Sequence, residues 1–423
     1  MRIARLPFRL PLAAFPVYAA ERLSSCVSGI LRIGTISKEV SVRTPHLIAK
    51  VAFFVLLLGS YSAYAQTFTA LYSFNFPPDG GQPHSSLVLD SAGNLYGTTY
   101  EGGTSNWGAV FKLDTSGQES VLYSFAGPPT DGANPLAGLV LDSAGNLYGT
   151  TSGFEGTVFK LNAAGAEEVL HTFVGSPSDG STPEAPLVRD AAGNLYGTTF
   201  FGGADNLGTV FRVDSLNKFT ILHSFEGGAE DGALPAGGLV RDTAEAAGNF
   251  YSSTFGGGPN NDGTVFGLAN SGRERVLHIF SGGVTDGDRC EAGLILVKGY
   301  FYGTASGGGT FGNGIIFKLD RKGNETVLYN FAGSPDGSTP TGALVADNAG
   351  NLYGTTLSGG TSNNGTVFRL DGSGTLSILY NFTGNSDGAF PYAGLVRDAA
   401  GNLYGTTSTG GMWSFGTVFK LTP

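Results

Sequence analysis

Three histidines, His171, His223 and His278, recur at intervals of 52 and 55 residues, and three imidazoles are a ligand set that can hold a catalytic zinc ion. The stretch GNSDG, Gly384 to Gly388, has the G-x-S-x-G form of a hydrolase nucleophile elbow, with Ser386 in the nucleophile's place. An Asp-Gly pair recurs once per repeat at a matching position, beginning at Asp79, Asp131, Asp179, Asp231, Asp286, Asp336 and Asp387, so a ring of carboxylates around calcium is one way to use them. Glu184, Glu291 and His84 could supply acid–base chemistry if the fold brought them together. No H-E-x-x-H, phosphate loop, dinucleotide fingerprint or cysteine pair is present. Whether any of these sets converges depends on the elements that carry them.

Those elements repeat. The motif GNLYGTT begins at Gly93, Gly145, Gly193, Gly350 and Gly401, with degraded copies near Gly248 and Gly299, and its tyrosine recurs as Tyr96, Tyr148, Tyr196, Tyr251, Tyr302, Tyr353 and Tyr404. The intervals are 52, 48, 55, 51, 51 and 51 residues. A GTVF-like run and a LYSF-like run keep the same beat, so each unit holds four short Val/Leu/Phe/Tyr/Thr-rich runs separated by Gly, Asn and Asp clusters. Such runs are strands and such clusters are turns. Four strands in a period near 50 predict a β-propeller blade, and seven units predict an all-β, seven-bladed β-propeller with four antiparallel strands per blade. The repeat region opens with a lone fourth strand, Thr67 to Phe74, and ends on a third strand, GTVFKLTP. The N-terminal strand is therefore expected to complete the last blade and close the ring.

The blade order resembles that of NHL-type propellers, whose repeats also read GNLY followed by V and D..G. The fuller likeness is to the Gloeo-Verruco (GloVer) tandem repeat of secreted bacterial proteins, carried here by YGTT…GG…GTVF across residues 67–423. That resemblance implies an exported protein, with surface association as an option, and brings no defined activity with it.

The bulk properties agree with export. Arg43 and Lys50, the apolar run Val51 to Leu58 and the A-x-A site at Ala63-Tyr64-Ala65 read as a secretory signal peptide over residues 43–65, with cleavage after Ala65. The apolar run is too short to span a bilayer. Residues 1–42 read as an over-extended start or an unstructured leader, and 66–423 as the propeller. The first 65 residues hold eight basic and two acidic side chains, so the chain's formal charge of −10 becomes −16 for the remainder. That balance repels phosphate backbones and anionic lipid, which argues against nucleic acid and membrane-surface partners. Only Cys290 follows the signal, so no internal disulfide is expected; a monomer without a membrane span is.

A residue present in every blade is expected to hold the blade. The three histidines replace tyrosines on outer strands of different blades and cannot converge on one ion, so no metal site is expected. Ser386 lacks an elbow, and a turn-capping role explains the Asp-Gly aspartates without calcium. The informative residues break the repeat. Five positions beyond each Asp-Gly aspartate the innermost strand opens at the central channel, where the chain reads His84, Leu136, Glu184, Ala236, Glu291, Thr341 and Tyr392, each followed by a small residue. The glycine-rich loop after YGTT shares that face and adds Tyr100, Glu101, Trp107, Phe154, Phe200, Phe201, Phe255, Phe311, Trp413 and Phe415. Aromatic rings among Gly, Asn, Ser and Thr suit carbohydrate, whose faces stack on rings while amides and hydroxyls satisfy its OH groups. The expected ligand-binding set is Trp107, Trp413, Tyr100, Glu101, Tyr392 and Thr341. The sequence thus points to a secreted or periplasmic binding module for polysaccharide. The alternatives are a lyase- or hydrolase-like enzyme using Glu184, Glu291 and His84, and a scaffold for another envelope protein.

Overall fold

The computed structural model describes residues 66–243 and 248–422; the leader and signal peptide expected over residues 1–65 lie outside them. Among the described residues every regular element is a strand, and no helix is long and apolar enough to cross a membrane. The strands form seven four-stranded antiparallel sheets, the blades of a propeller. Blade 1 runs Val88–Leu89, Leu95–Thr99, Ala109–Leu113 and Glu119–Ser124 from axis to rim. Blade 7 takes Val396–Arg397, Leu403–Thr407 and Thr417–Thr422 from the C-terminal end, and Thr67–Ser73 fills its fourth place, with Thr67 opposite Thr422. The ring closes as the sequence predicts.

The repeated motif divides its labour residue by residue. Asp90 Oδ1 accepts the backbone N–H groups of Ala92 (2.9 Å) and Asn94 (2.8 Å), while Oδ2 accepts from Asn94 Nδ2 (2.7 Å) and the Tyr96 hydroxyl (3.1 Å). Burial alone would raise the Asp90 carboxyl; the hydrogen bonds from Asn94, Tyr96 and Ala92 outweigh it and hold the group below the ordinary carboxylate range. The tyrosine ring meanwhile packs between blades: Tyr148 shares a core cluster with Leu187, Leu195 and Phe211 of the next blade. The first threonine of the pair ties neighbouring sheets, as Thr355 Oγ1 donates to the Ala393 carbonyl (2.9 Å) and Thr406 Oγ1 to that of Ser85 (3.1 Å). The second bonds within its own blade, as Thr356 does to Thr366 (2.9 Å). The innermost strands pair over only two or three residues because their upstream halves crowd the axis. A Cβ added at Gly342 would lie 2.7 Å from the backbone of Ala393, and one at Gly394 would lie 2.6 Å from the Ala343 carbonyl.

At the rim, each Asp-Gly aspartate clasps the outer strand that precedes it. Asp131 accepts from the Tyr123 hydroxyl (2.9 Å) and the Ala126 amide (2.6 Å), Asp336 from the Tyr329 hydroxyl (2.7 Å), and Asp387 from the Tyr380 hydroxyl (3.0 Å). His171 takes the tyrosine's place against Asp179 (3.0 Å), which supports its reading as a tyrosine substitute. At the Tyr72–Asp79 and Tyr123–Asp131 clasps, a glutamate from the next blade's outer strand closes in. Burial, and then the neighbouring aspartate, push Glu119 and Glu167 up to about 7. Their folded-state values exceed the unfolded one of 4.5, so the stability they give is complete below that pH and is lost as pH rises through about 7. The melting temperature should fall between about pH 5 and pH 8, and fall less steeply in the E119Q/E167Q double variant. Thermal unfolding followed by circular dichroism across that range checks it; an unchanged slope removes these two groups from the account.

Candidate functional site

The route from rim to axis is built the same way in every blade. Two residues before each channel-mouth side chain stands a non-glycine residue in the left-handed region: Gln82, Asn134, Thr182, Leu234, Arg289, Thr339 and Phe390, with φ of 53–58°. Non-glycine residues adopt that conformation only when their surroundings fix it. Here the N–H of each donates to the glycine-rich loop of the preceding blade, and its carbonyl accepts from the residue that follows the YGTT strand of its own blade. Asn134, for example, bonds the Trp107 carbonyl (2.7 Å) and the Ser152 amide (3.1 Å), and Phe390 those of Asn364 (3.0 Å) and Ser408 (3.1 Å). In three blades the two loops also pair as a two-stranded sheet, such as Gly180–Ser181 with Phe201–Gly202.

The seven turns deliver His84, Leu136, Glu184, Ala236, Glu291, Thr341 and Tyr392 to one cavity of about 430 Å³ at the channel mouth. Its remaining wall is made of small or apolar residues, and neither lysine nor arginine lines it. One side is aromatic: the His84 ring lies edge-on to Tyr100 (5.8 Å) and to Tyr392 (5.4 Å). The other side is acidic. Glu291 Oε1 accepts from Ser306 Oγ (2.8 Å), and its Oε2 accepts from the Tyr392 hydroxyl at 3.3 Å. Burial, and then the charge of Glu291, lift the Glu184 carboxyl to about 7. Burial lowers His84, which favours the neutral imidazole. Tyr392 is raised by burial and by both glutamates, and stays a hydroxyl donor. The cavity therefore presents the poised Glu184 carboxyl, the Glu291 side chain held by two hydroxyl donors, a neutral imidazole and the Tyr392 phenol.

The other expected contacts sit less centrally. Thr341 lines the cavity but is buried, and its hydroxyl donates to the Tyr392 carbonyl (2.9 Å). Glu101 lies on the rim and accepts from Gln82 Nε2 (3.0 Å). Trp107 is half-buried between the core and Phe154, with ring centroids 5.7 Å apart, whereas Trp413 is half exposed. Of the loop phenylalanines, Phe415 folds inward to stack on Phe76 (4.7 Å), while Phe154 and Phe311 stand in solvent. Ser306, which orients Glu291, escaped the sequence reading. Its only signal was a serine standing just beyond the strand motif, where Tyr100 and Phe200 stand in other blades.

The profile of the Gloeobacter/Verrucomicrobia repeat matches residues 59–245 and again 241–423. The chain belongs to this family. No curated protein matches it. Among solved structures, this family member is similar to the extracellular domain of a B. thetaiotaomicron protein named as a one-component system, with 10% identity and a TM-score of 0.56. It is also similar to the extracellular domain named as that of a hybrid two-component system from the same organism, with 12% identity and a TM-score of 0.55. Each match covers 84% of this chain but only 40% and 39% of the partner, so the chain spans well under half the length of either. At that identity the likeness supports the propeller fold alone.

Proposed function

We propose that this repeat protein is a binding module for neutral carbohydrate, exported to the periplasm or beyond, with its site at the channel mouth. The observation that carries this reading is the cavity's division into an aromatic edge, His84 and Tyr392 with Tyr100 packed against His84, and an acidic edge, Glu291 and Glu184, among small and apolar residues. Rings offer a stacking surface, and the carboxyl groups offer hydrogen-bond acceptors and, at Glu184, a donor. The absence of lysine and arginine from the lining disfavours phosphorylated, sulfated or uronic ligands. The signal-peptide pattern before Gln66, together with the extracellular placement of the two similar structures, supports export.

Titration calorimetry against neutral and acidic oligosaccharides tests the proposal. Saturable binding is expected from the neutral set, weakened about tenfold or more by Tyr392→Ala or Glu291→Ala and left unchanged by Phe154→Ala on the outer loop. Silence across the neutral panel sinks it. One observation favours catalysis as the second reading: a carboxyl poised near 7 beside a second carboxylate suits an acid–base pair. Release of reducing ends that vanishes in Glu184→Gln, while binding persists, would select that reading.

A further inference from the structure

The seven rim clasps form a comparison series within one molecule. Each contains an Asp-Gly aspartate and a tyrosine or histidine from the preceding outer strand. The third place, on the next blade's outer strand, is filled by Glu119, Glu167, Phe219, Glu274, Glu325, Leu376 or Phe68. Where tyrosine meets glutamate, the clasp stays bonded: Tyr72 reaches Asp79 at 2.5 Å and Tyr123 reaches Asp131 at 2.9 Å. Where histidine meets phenylalanine it also stays bonded, with His171 3.0 Å from Asp179 and stacked on Phe219 at 3.8 Å. Only where histidine and glutamate coincide does the clasp open. His223 Nε2 stands 3.5 Å from Asp231, and His278 Nε2 stands 3.7 Å from Asp286.

At His278 the third residue also turns inward. Glu325 Oε2 lies 3.9 Å from His278 Nε2, and one ligand atom from each of His278, Asp286 and Glu325 lies within 4.8 Å of the other two. His278 Nε2 and Glu325 Oε1 have essentially no solvent exposure and no hydrogen-bond partner. The imidazole nitrogen thus faces two carboxylates just beyond hydrogen-bond reach, which leaves a gap between three potential ligand atoms. The two separations from His278 Nε2 exceed a hydrogen bond but come near the edge of a zinc tetrahedron, about 3.3–3.5 Å for ligands held at about 2.0–2.2 Å, so the carboxylates would draw in on binding.

The geometry points to a three-ligand zinc site at the blade 4–blade 5 rim, with His278, Asp286 and Glu325 as its protein ligands and the fourth position left to solvent. One neutral imidazole and two carboxylates offset the charge of a dication, so the buried set becomes neutral as a whole. Calcium is a poor fit, since it takes about six to eight oxygens and one of the three donors is nitrogen. The competing occupant of the gap is a proton shared between the Glu325 and Asp286 carboxyls.

The protein supplies its own controls. H278Y recreates the Tyr–Asp–Glu clasp found at Tyr123, and E325F recreates the His–Asp–Phe clasp found at His171, so each variant copies a junction this fold already tolerates. Zinc chloride titrated into EDTA-treated protein by calorimetry, with thermal unfolding alongside, decides the matter. The wild type should bind zinc stoichiometrically and melt higher when loaded, and both variants should fold yet lose about tenfold or more in affinity. H223Y and H84A should leave that affinity unchanged. No saturable zinc binding, zinc binding that survives H278Y, or binding lost in H84A instead would overturn the assignment and leave the shared proton in its place.

Discussion

Truncating Phe74 to alanine is expected to destabilise the propeller by about 3–5 kcal/mol, the range for deleting a fully buried phenylalanine. Phe74 follows the closing strand Thr67–Ser73, has no solvent exposure, and meets Phe111 of blade 1 edge-to-face with centroids 5.1 Å apart. Its cluster joins Val418 of blade 7 to Leu87, Leu95 and Leu113 of blade 1. The same contact recurs elsewhere, as between Phe125 and Phe159 (5.1 Å), but there one continuous chain supplies both neighbouring blades. At Phe74 the chain's two ends meet without a covalent link. Urea unfolding of F74A measures the cost, and hydrogen exchange should show the amides of Thr417–Thr422 losing protection first. A loss under about 1 kcal/mol would mean that closure adds little to stability.

Introducing valine at Gly354 should cost about 3 kcal/mol, at the upper end for overpacking a core. A Cβ there would sit 2.6 Å from the tip of the Phe368 ring and 2.9 Å from a Leu344 methyl, and both neighbours are buried. Five other blades repeat the conflict, as at Gly97 against Phe111 and Leu87. Blade 4 is the exception: Ser252 occupies the position and donates its hydroxyl to the carbonyls of Gly237 (2.9 Å) and Gly238 (3.0 Å). Gly354→Ser should therefore be the milder change. Equal melting temperatures for the two variants would show that close packing at this site is not limiting.

The contrast between Gly354 and Ser386 shows what could be read in advance. Gly354 belongs to a pattern repeated around the ring, and repetition makes strand order, closure and core position legible because every copy must solve the same packing problem. The channel-mouth series was legible for the same reason: a fixed offset from the Asp-Gly pair placed His84, Glu184, Glu291 and Tyr392 in one cavity. What stayed hidden was side-chain pairing. The aspartate–tyrosine clasps and the Ser306–Glu291 bond depend on how loops fold back on their own blade, and the Thr355–Ala393 bond on how neighbouring sheets stack. Trp107 and Trp413 stand in equivalent glycine-rich loops, but composition could not say that one would lean on the core and the other stand in solvent.

The left-handed residues at the crossover turns have a consequence for how such a protein can change. All seven are held through main-chain N–H and C=O groups, and the same backbone shape is occupied by Gln, Asn, Thr, Leu, Arg, Thr and Phe. The backbone shape is therefore not tied to one side chain, and the channel-mouth position two steps on likewise accepts His, Leu, Glu, Ala, Thr or Tyr. A substitution at one of the seven channel-mouth positions edits the chemistry of the cavity, while the main-chain bonds that hold the turn behind it do not depend on that side chain. The chemistry of the channel mouth in this architecture can therefore change one residue at a time, over turns that keep their shape.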